Sequence, residues 1–275
     1  MKHLRIVSNK KESLKQVFGT QEWASKTVNI QSGCSNDCKY CYAKSMAVRF
    51  KRKTVENWKE EDVDYKKVRR NCKKVDGYVM YPSTHDLSLS NTIASIDTIE
   101  NILKSGNSIL IVTKPVLAVI KILCHRFWHH KDRILFRFTI GSTNSETLKF
   151  WEPYAPNFEE RFKSLQYAYS FGFNTSISAE PVLDSNTQEL INTLSPYVTD
   201  AIWVGLPNKL KARLKMNGET DAETMKMADD LIEIQSVDWV VNLYETNKHN
   251  PQIKWKESIK KIVGLKISTE SGLDV

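Results

Sequence analysis

Asn29-Ile30-Gln31-Ser32-Gly33-Cys34-Ser35-Asn36-Asp37-Cys38-Lys39-Tyr40-Cys41-Tyr42 is the stretch on which the fold turns. It places Cys34, Cys38 and Cys41 at C-x3-C-x2-C spacing, directly after a β-branched run, Thr27 to Ile30. A loop this short can set three sulfurs on three corners of one small cluster, and thiolates are the ligands of iron–sulfur clusters. Only three protein ligands are supplied, so a four-iron cube keeps one iron open to a ligand from outside the chain. A structural zinc site is the alternative. It needs four protein ligands, and His85 or a helix residue would have to provide the fourth. Core filler is a poor account of three thiols set among Ser, Asn, Asp and Lys.

Outward from this stretch, short apolar runs alternate with helical patterns. The expected strands are 27–30, Tyr78 to Tyr81, Ser108 to Thr113, Ile134 to Ile140, Thr175 to Ala179 and Ala201 to Val204. Their near-continuous apolar character suits strands covered by helices. Helices are expected from Asn91 or Thr92 to Leu103, closed by Gly106, and from Pro115 through Leu123. Two more begin at Asn157 and at Asn186 or Thr187. A further strand, Trp239 to Val241, and a helix over Ile253 to Ile262 follow. Repeated β–α units imply a parallel sheet with right-handed crossovers, and six units can curl into a full or partial barrel. The expected organisation is an extension over residues 1–26, a barrel over 27–245 with a basic insertion at 51–74, and a C-terminal helix and tail over 246–275.

The chain has 275 residues, 41% of them apolar, and a formal net charge of +8. That is ordinary soluble composition. No apolar run reaches bilayer length and no signal peptide follows Met1-Lys2-His3-Leu4-Arg5, so a cytoplasmic location is expected. Five cysteines, three of them bunched, read there as metal binding rather than disulfides. Twelve basic and five acidic residues lie between Lys44 and Lys74. Such a field draws polyanions, while a solvated Lys-rich surface is the plainer reading. Lys209, Lys211 and Arg213 after the sixth strand carry the same two readings. Cys124, His125, His129 and His130 offer an i, i+4 histidine pair, but read first as a helix terminus.

C-x3-C-x2-C with an aromatic before the third cysteine, here Tyr40, resembles the signature of the radical S-adenosylmethionine (AdoMet) superfamily. The resemblance implies a partial (β/α)6 TIM-like barrel and a [4Fe–4S] cluster on Cys34, Cys38 and Cys41. The open iron would be chelated by AdoMet, and reductive cleavage would give a 5′-deoxyadenosyl radical that abstracts hydrogen from a substrate. An electron donor such as flavodoxin or ferredoxin is implied. Tyr40 would lie against the adenine region.

Tyr81-Pro82-Ser83-Thr84-His85-Asp86, Val112-Thr113-Lys114-Pro115, Ser178-Ala179-Glu180-Pro181 and Trp203-Val204-Gly205-Leu206-Pro207-Asn208 resemble the spore photoproduct lyase group. All fall at strand carboxyl ends, where active groups of parallel α/β folds gather. Ser83 would accept from the cofactor ammonium, Lys114 would meet its carboxylate, Thr139 would add a polar contact, and Glu180 would bind a ribose hydroxyl or a substrate donor. In that group a hydrogen-donating cysteine precedes the serine. Pro82 stands there in this chain, which speaks against thymine-dimer repair. The expected substrate is a nucleic acid or nucleotide. The alternatives are a small metabolite or peptide, or a nonenzymatic zinc-binding nucleic-acid module.

Overall fold

The computed structural model describes residues 16–272; residues 1–15 of the expected extension and 273–275 of the tail lie outside the described residues. Seven strands form one parallel sheet: β1 (Lys26–Thr27), β4 (Tyr78–Tyr81), β5 (Ser108–Thr113), β6 (Ile134–Thr139), β7 (Asn174–Ala179), β8 (Ile202–Val204) and β9 (Ile253–Trp255). They neighbour one another in chain order, each parallel to the next, as a curled half-barrel. This is the partial TIM-like barrel that the β–α alternation predicts. A short antiparallel ribbon, β2 (Gln31–Ser32) with β3 (Asp62–Val63), stands apart from it.

Four of the crossover helices, those starting at Thr92, Leu117, Phe158 and Thr187, answer to the expected ones, the second beginning two residues after Pro115. The crossovers are α1 (Tyr42–Arg49), the single turn α2 (Tyr65–Val68), α3 (Thr92–Lys104), α4 (Leu117–Arg126), α5 (Ser145–Trp151), α6 (Phe158–Ser170), α7 (Thr187–Leu194) and α8 (Leu210–Met216). Asn157 caps α6 by accepting from Glu160 N at 3.0 Å. Asn91 precedes α3 but spends its side chain on the loop before it, donating to Asp86 O and Gln31 Oε1 at 3.0 Å each. The outer core lies between strands and helices, with Ile99, Ile111, Leu123, Phe138, Leu165 and Ile177 all excluded from water. Inside the barrel a second cluster packs Trp23, Met80, Leu110, Leu135 and Trp203.

The C-terminal part differs from the expectation. Trp239 to Val241 is no strand: it belongs to α10 (Val237–Asn247), which follows α9 (Ala222–Ile234). Ser236 caps α10 by accepting from Trp239 N, and Val240, Leu243 and Asn247 are buried at helical spacing. A triplet of large apolar residues looks like a strand, but the period of burial decides for helix. Conversely, residues 253–255 are not the start of a helix. They form β9, buried–half-buried–buried, as a seventh strand ahead of α11 (Glu257–Val263).

The sheet does not close on itself. The chain before β1 spans the gap: Val17 N donates to Ser268 O, and Lys256 Nζ after β9 donates to Gly19 O, both at 2.9 Å. Among the described residues no helix is long and apolar enough to cross a membrane.

Candidate active site

The cysteine loop leaves the ribbon through Gly33, which has φ +87°. A Cβ there would stand 2.0 Å from Glu60 O and 2.8 Å from Trp58 O. Both are backbone atoms and cannot swing aside, so only glycine permits this turn. Cys34 N donates to Trp58 O at 2.9 Å, and Ser35 N and Oγ donate to Glu61 at 3.1 and 2.7 Å. The segment after α1 thus clasps the loop from outside. Gly33→Ala is expected to release this clasp, so that the reconstituted protein holds only a minor share of the wild-type iron. Unchanged iron per chain would show that the clasp is dispensable.

All three thiols face one cavity of about 420 Å³ at the carboxyl ends of the strands, and none is in a disulfide. Cys34 and Cys38 are buried and Cys41 is half-buried. Burial pushes all three thiols above their ordinary range. Cys41 is also the residue before α1, and its Sγ accepts from Lys44 N at 3.3 Å. Helix amino termini favour thiolates.

These are thiols that a bare protein holds protonated and that a metal centre converts outright to thiolates. The donor set therefore fits an iron–sulfur cluster. Among the described residues no three His, Cys, Asp or Glu side chains gather as the ligand set of a single metal ion. His85 is buried with its Nδ1 against Asp86 O at 3.2 Å, while its Nε2 has no partner.

Ser83, Lys114, Thr139 and Glu180 line the same cavity, as does Tyr40. The structure brings together every residue that the strand-end reading singled out. Ser83 is fixed by Asn29, whose Nδ2 donates to Ser83 Oγ at 2.9 Å while its Oδ1 accepts from Ser83 N at 2.7 Å. Lys114 Nζ lies 3.7 Å from both Asp86 and Glu152, and 5.9 Å from the centre of the Tyr40 ring. Burial alone would lower this lysine. Asp86, followed by Cys38, Tyr40 and Glu152, instead raises it well above the usual range, so it is a fixed cation. Glu180 sits 3.5 Å from Lys256, and burial raises its carboxyl against that charge.

Two residues of the site have no role in the sequence reading: Asp86, at the end of the Tyr81 to Asp86 strand-end segment, and Glu152. Asp86 binds the cysteine loop to the third strand-end: it accepts from Asn36 Nδ2 at 2.9 Å and from Lys114 N at 2.7 Å, and Cys34 Sγ lies 4.0 Å away. Burial would raise Asp86, but the Lys114 charge and its backbone N–H hold it below the ordinary value. Glu152 is 1% exposed and accepts from both Tyr40 Oη and the fully buried Arg161.

The histidine group does not assemble. His125 Nε2 pairs with Tyr167 Oη at 3.0 Å, whereas His129 packs on Trp128. Cys72 and Cys124 sit in the outer core, away from the cavity. None of the basic residues in the run from Lys44 to Lys74 lines the cavity. Lys44 and Lys53 are buried struts, paired with Asp37 and Asp62. Lys73 and Lys74 stand at the amino ends of β4 and β5, opposite the cavity, where Asn107 donates to Lys73 O at 3.3 Å.

A parallel half-barrel with three thiols after its first strand, facing a cavity at the strand carboxyl ends, defines a class of protein. The family model of the radical SAM superfamily matches residues 28–195, more than half of the chain, and the chain belongs to that superfamily. Among curated proteins the sequence finds no match.

Among solved structures, the chain is similar to a mutant of spore photoproduct lyase, with TM-score 0.55 and 15% identity over 89% of this chain and 79% of that one. A spore photoproduct lyase with bound AdoMet and dinucleoside spore photoproduct gives TM-score 0.54 and 14% identity, with the same coverage. Streptococcus suis SuiB bound to S-adenosylmethionine gives TM-score 0.52 and 13% identity over 90% of this chain and 54% of SuiB. At such identities the likeness speaks for the fold.

Proposed function

We propose that this chain is a radical enzyme using AdoMet and a [4Fe–4S] cluster to abstract hydrogen from a nucleic acid or nucleotide. What carries the reading is one cavity lined by three desolvated thiols together with Ser83, Lys114, Thr139 and Glu180. When bound, the cluster supplies the electron that breaks the AdoMet carbon–sulfur bond, giving a 5′-deoxyadenosyl radical.

The chain's own residues then have separable tasks. Cys34, Cys38 and Cys41 hold the cluster. Lys114, kept cationic by Asp86 and Glu152, meets the AdoMet carboxylate as a point charge. Ser83, pinned by Asn29, accepts from its ammonium. Thr139 adds a polar contact, Tyr40 packs beside the adenosyl group, and Glu180 takes a ribose hydroxyl or a substrate donor. The buried walls keep water from the reacting atoms. A flavodoxin or ferredoxin would supply the electron. Spore photoproduct lyase, a neighbour in fold, has been captured with a dinucleoside, which supports the nucleotide reading.

Lys114→Met is expected to weaken AdoMet binding about tenfold or more, since it removes a charge-assisted contact. Equilibrium dialysis against the cluster-loaded protein reads this directly, and unaltered affinity would remove Lys114 from the cofactor site. Nucleic-acid binding is tested by its salt dependence: affinity for single-stranded DNA or RNA should fall steeply as salt rises.

A small metabolite or peptide is the second reading. The absence of the run's basic residues from the cavity wall, with Lys73 and Lys74 at the far end of the barrel, favours it. Binding of AdoMet without salt-sensitive nucleic-acid affinity would decide for it.

A further inference from the structure

The face that α1 and α8 turn to solvent has a composition to which the radical chemistry gives no task. α1 buries Ala43, Lys44 and Ala47. Its outward side carries Tyr42, Met46 and Arg49, at i, i+4 and i+7 spacing, with Phe50 directly after. Tyr42, Met46 and Phe50 are 39%, 40% and 58% exposed. A solvated helix face ordinarily shows polar side chains there, and large apolar groups in a row mark a contact surface.

The charge of this face is of one sign. Residues 42–53 include Arg49, Lys51 and Arg52, all exposed, and no Asp or Glu. Residues 206–218 include Lys209, Lys211, Arg213 and Lys215, again without an acid. Lys211 pairs with Asp229, whereas the other six make no salt bridge among the described residues. The two segments form one surface. Ser45 Oγ donates to Asn217 Oδ1 at 2.9 Å, Asn217 Nδ2 donates to Cys41 O at 3.0 Å, and the Arg213 guanidinium carbon lies 5.8 Å from the centre of the Tyr42 ring.

This surface runs into the cavity. Tyr42 and Arg213 are part of the cavity wall, and Phe50 lies about 12 Å further along α1 at 1.5 Å per residue. The Phe50 ring has the Arg49 guanidinium 5.7 Å away. Phe18, on the same cavity wall and 43% exposed, has the Lys261 ammonium 4.8 Å over its ring.

Three properties select the occupant. Unpaired cations without acids among them call for a polyanion. Ring faces beside them suit flat bases, which stack on aromatics while the cations follow the backbone. A cavity of about 420 Å³ that also has to admit AdoMet suits a chain that puts one unit inside and leaves the rest outside. An acidic carrier protein would answer the charge but has nothing to insert. A paired duplex would hide its bases from the rings and from the cavity.

We propose that the α1–α8 face is the track on which a single-stranded nucleic acid lies while one of its nucleotides enters the cavity past Tyr42 and Arg213. This rests on the nucleic-acid reading above and narrows it from nucleotide to strand.

The test is fluorescence anisotropy of labelled oligothymidylate and oligouridylate with cluster-loaded, AdoMet-bound protein. One of the two strands should bind, with an affinity that falls steeply as salt rises, and the matching nucleoside monophosphate should bind at least about tenfold more weakly. Arg49→Gln and Lys215→Gln should each weaken the strand severalfold and lower the slope of log affinity against log salt by about 0.7, the share of one phosphate contact on a single strand. Phe50→Ser should lose about tenfold and leave that slope unaltered, since stacking releases no counterions. Lys74→Gln, at the far end of the barrel, is the control and should match the wild type. All these side chains are exposed, so the variants keep the fold.

Strand affinity and salt slope unaltered in the Arg49, Lys215 and Phe50 variants would overturn the proposal and leave the nucleic-acid reading intact. A wild type that binds the monophosphate but no strand would do the same, whereas binding of neither would remove both. Polyglutamate bound as tightly as the strands would show charge alone at work and sink the track. So would variants that bind no strand less well than the wild type but lose flavodoxin-driven release of 5′-deoxyadenosine while keeping dithionite-driven release, because the face would then belong to the electron carrier.

Discussion

Cys38→Ala is expected to leave the protein without its cluster and without any release of 5′-deoxyadenosine. Cys38 is 5% exposed and lies where Lys114, Glu152 and Cys41 all act on its charge. Burial holds its thiol well above the ordinary range, so the free energy of making a thiolate there has to come from iron. With Cys34 and Cys41 alone, a cube would be held by two of its corners. Iron and sulfide per chain after anaerobic reconstitution should fall from about four of each to background. Cys72→Ala is the control. Cys72 lies in the outer core, away from the cavity, and should keep the full iron content. A Cys38 variant that retains iron and still cleaves AdoMet would end the assignment of the cluster to this loop. One zinc per chain in the wild type would revive the zinc-module reading.

What could be read in the sequence and what could not divide along a physical line. The cysteine loop and the strand ends are local signals. Spacing, a β-branched run and a following polar turn suffice to place Ser83, Lys114, Thr139 and Glu180 at one end of a parallel sheet, and the structure does gather them. Glu152 has no such signal, and Asp86, although it closes the Tyr81 to Asp86 strand-end segment, shows nothing there of its role. Each acts on Lys114 across a long stretch of chain, and a lone carboxylate in a loop says nothing of its partner. Arg213 was legible only as a basic helix residue, because which face of α8 looks inward depends on packing against α1 and α9. The α10 misreading has the opposite cause. Trp239-Val240-Val241 favours strand locally, but Ser236 caps a helix whose buried residues repeat every three to four, and tertiary burial outweighs propensity.

The buried acid–base pair beneath Tyr40 should be where the fold is most sensitive to a single side chain. Arg161 is fully buried. It donates to Pro156 O at 2.7 Å, to Thr139 O at 3.1 Å and to the Glu152 carboxylate, whose other oxygen accepts from Tyr40 Oη. One guanidinium therefore ties α6 to the end of β6 and, through Glu152, to the cysteine loop. Arg161→Ala would strip Glu152 of its nearest cation, leaving Lys114 at 3.7 Å as its remaining charge partner, and would remove the guanidinium donors from Pro156 O and Thr139 O. Breaking a buried pair from one side costs about 3–5 kcal/mol. For a chain of this size that corresponds to a drop of roughly 5–9 °C in the unfolding midpoint. The double variant Arg161→Met, Glu152→Leu should regain much of that stability, because apolar side chains of similar bulk can replace a buried ion pair at little cost. It should not regain AdoMet affinity, since Tyr40 and Lys114 would both have lost the carboxylate that positions them. Thermal unfolding and AdoMet dialysis on the wild type and the two variants separate the two roles. A double variant with both stability and affinity restored would mean that Glu152 serves only to neutralise Arg161. An Arg161→Ala protein as stable as the wild type would mean that this pair does not anchor the cysteine loop at all.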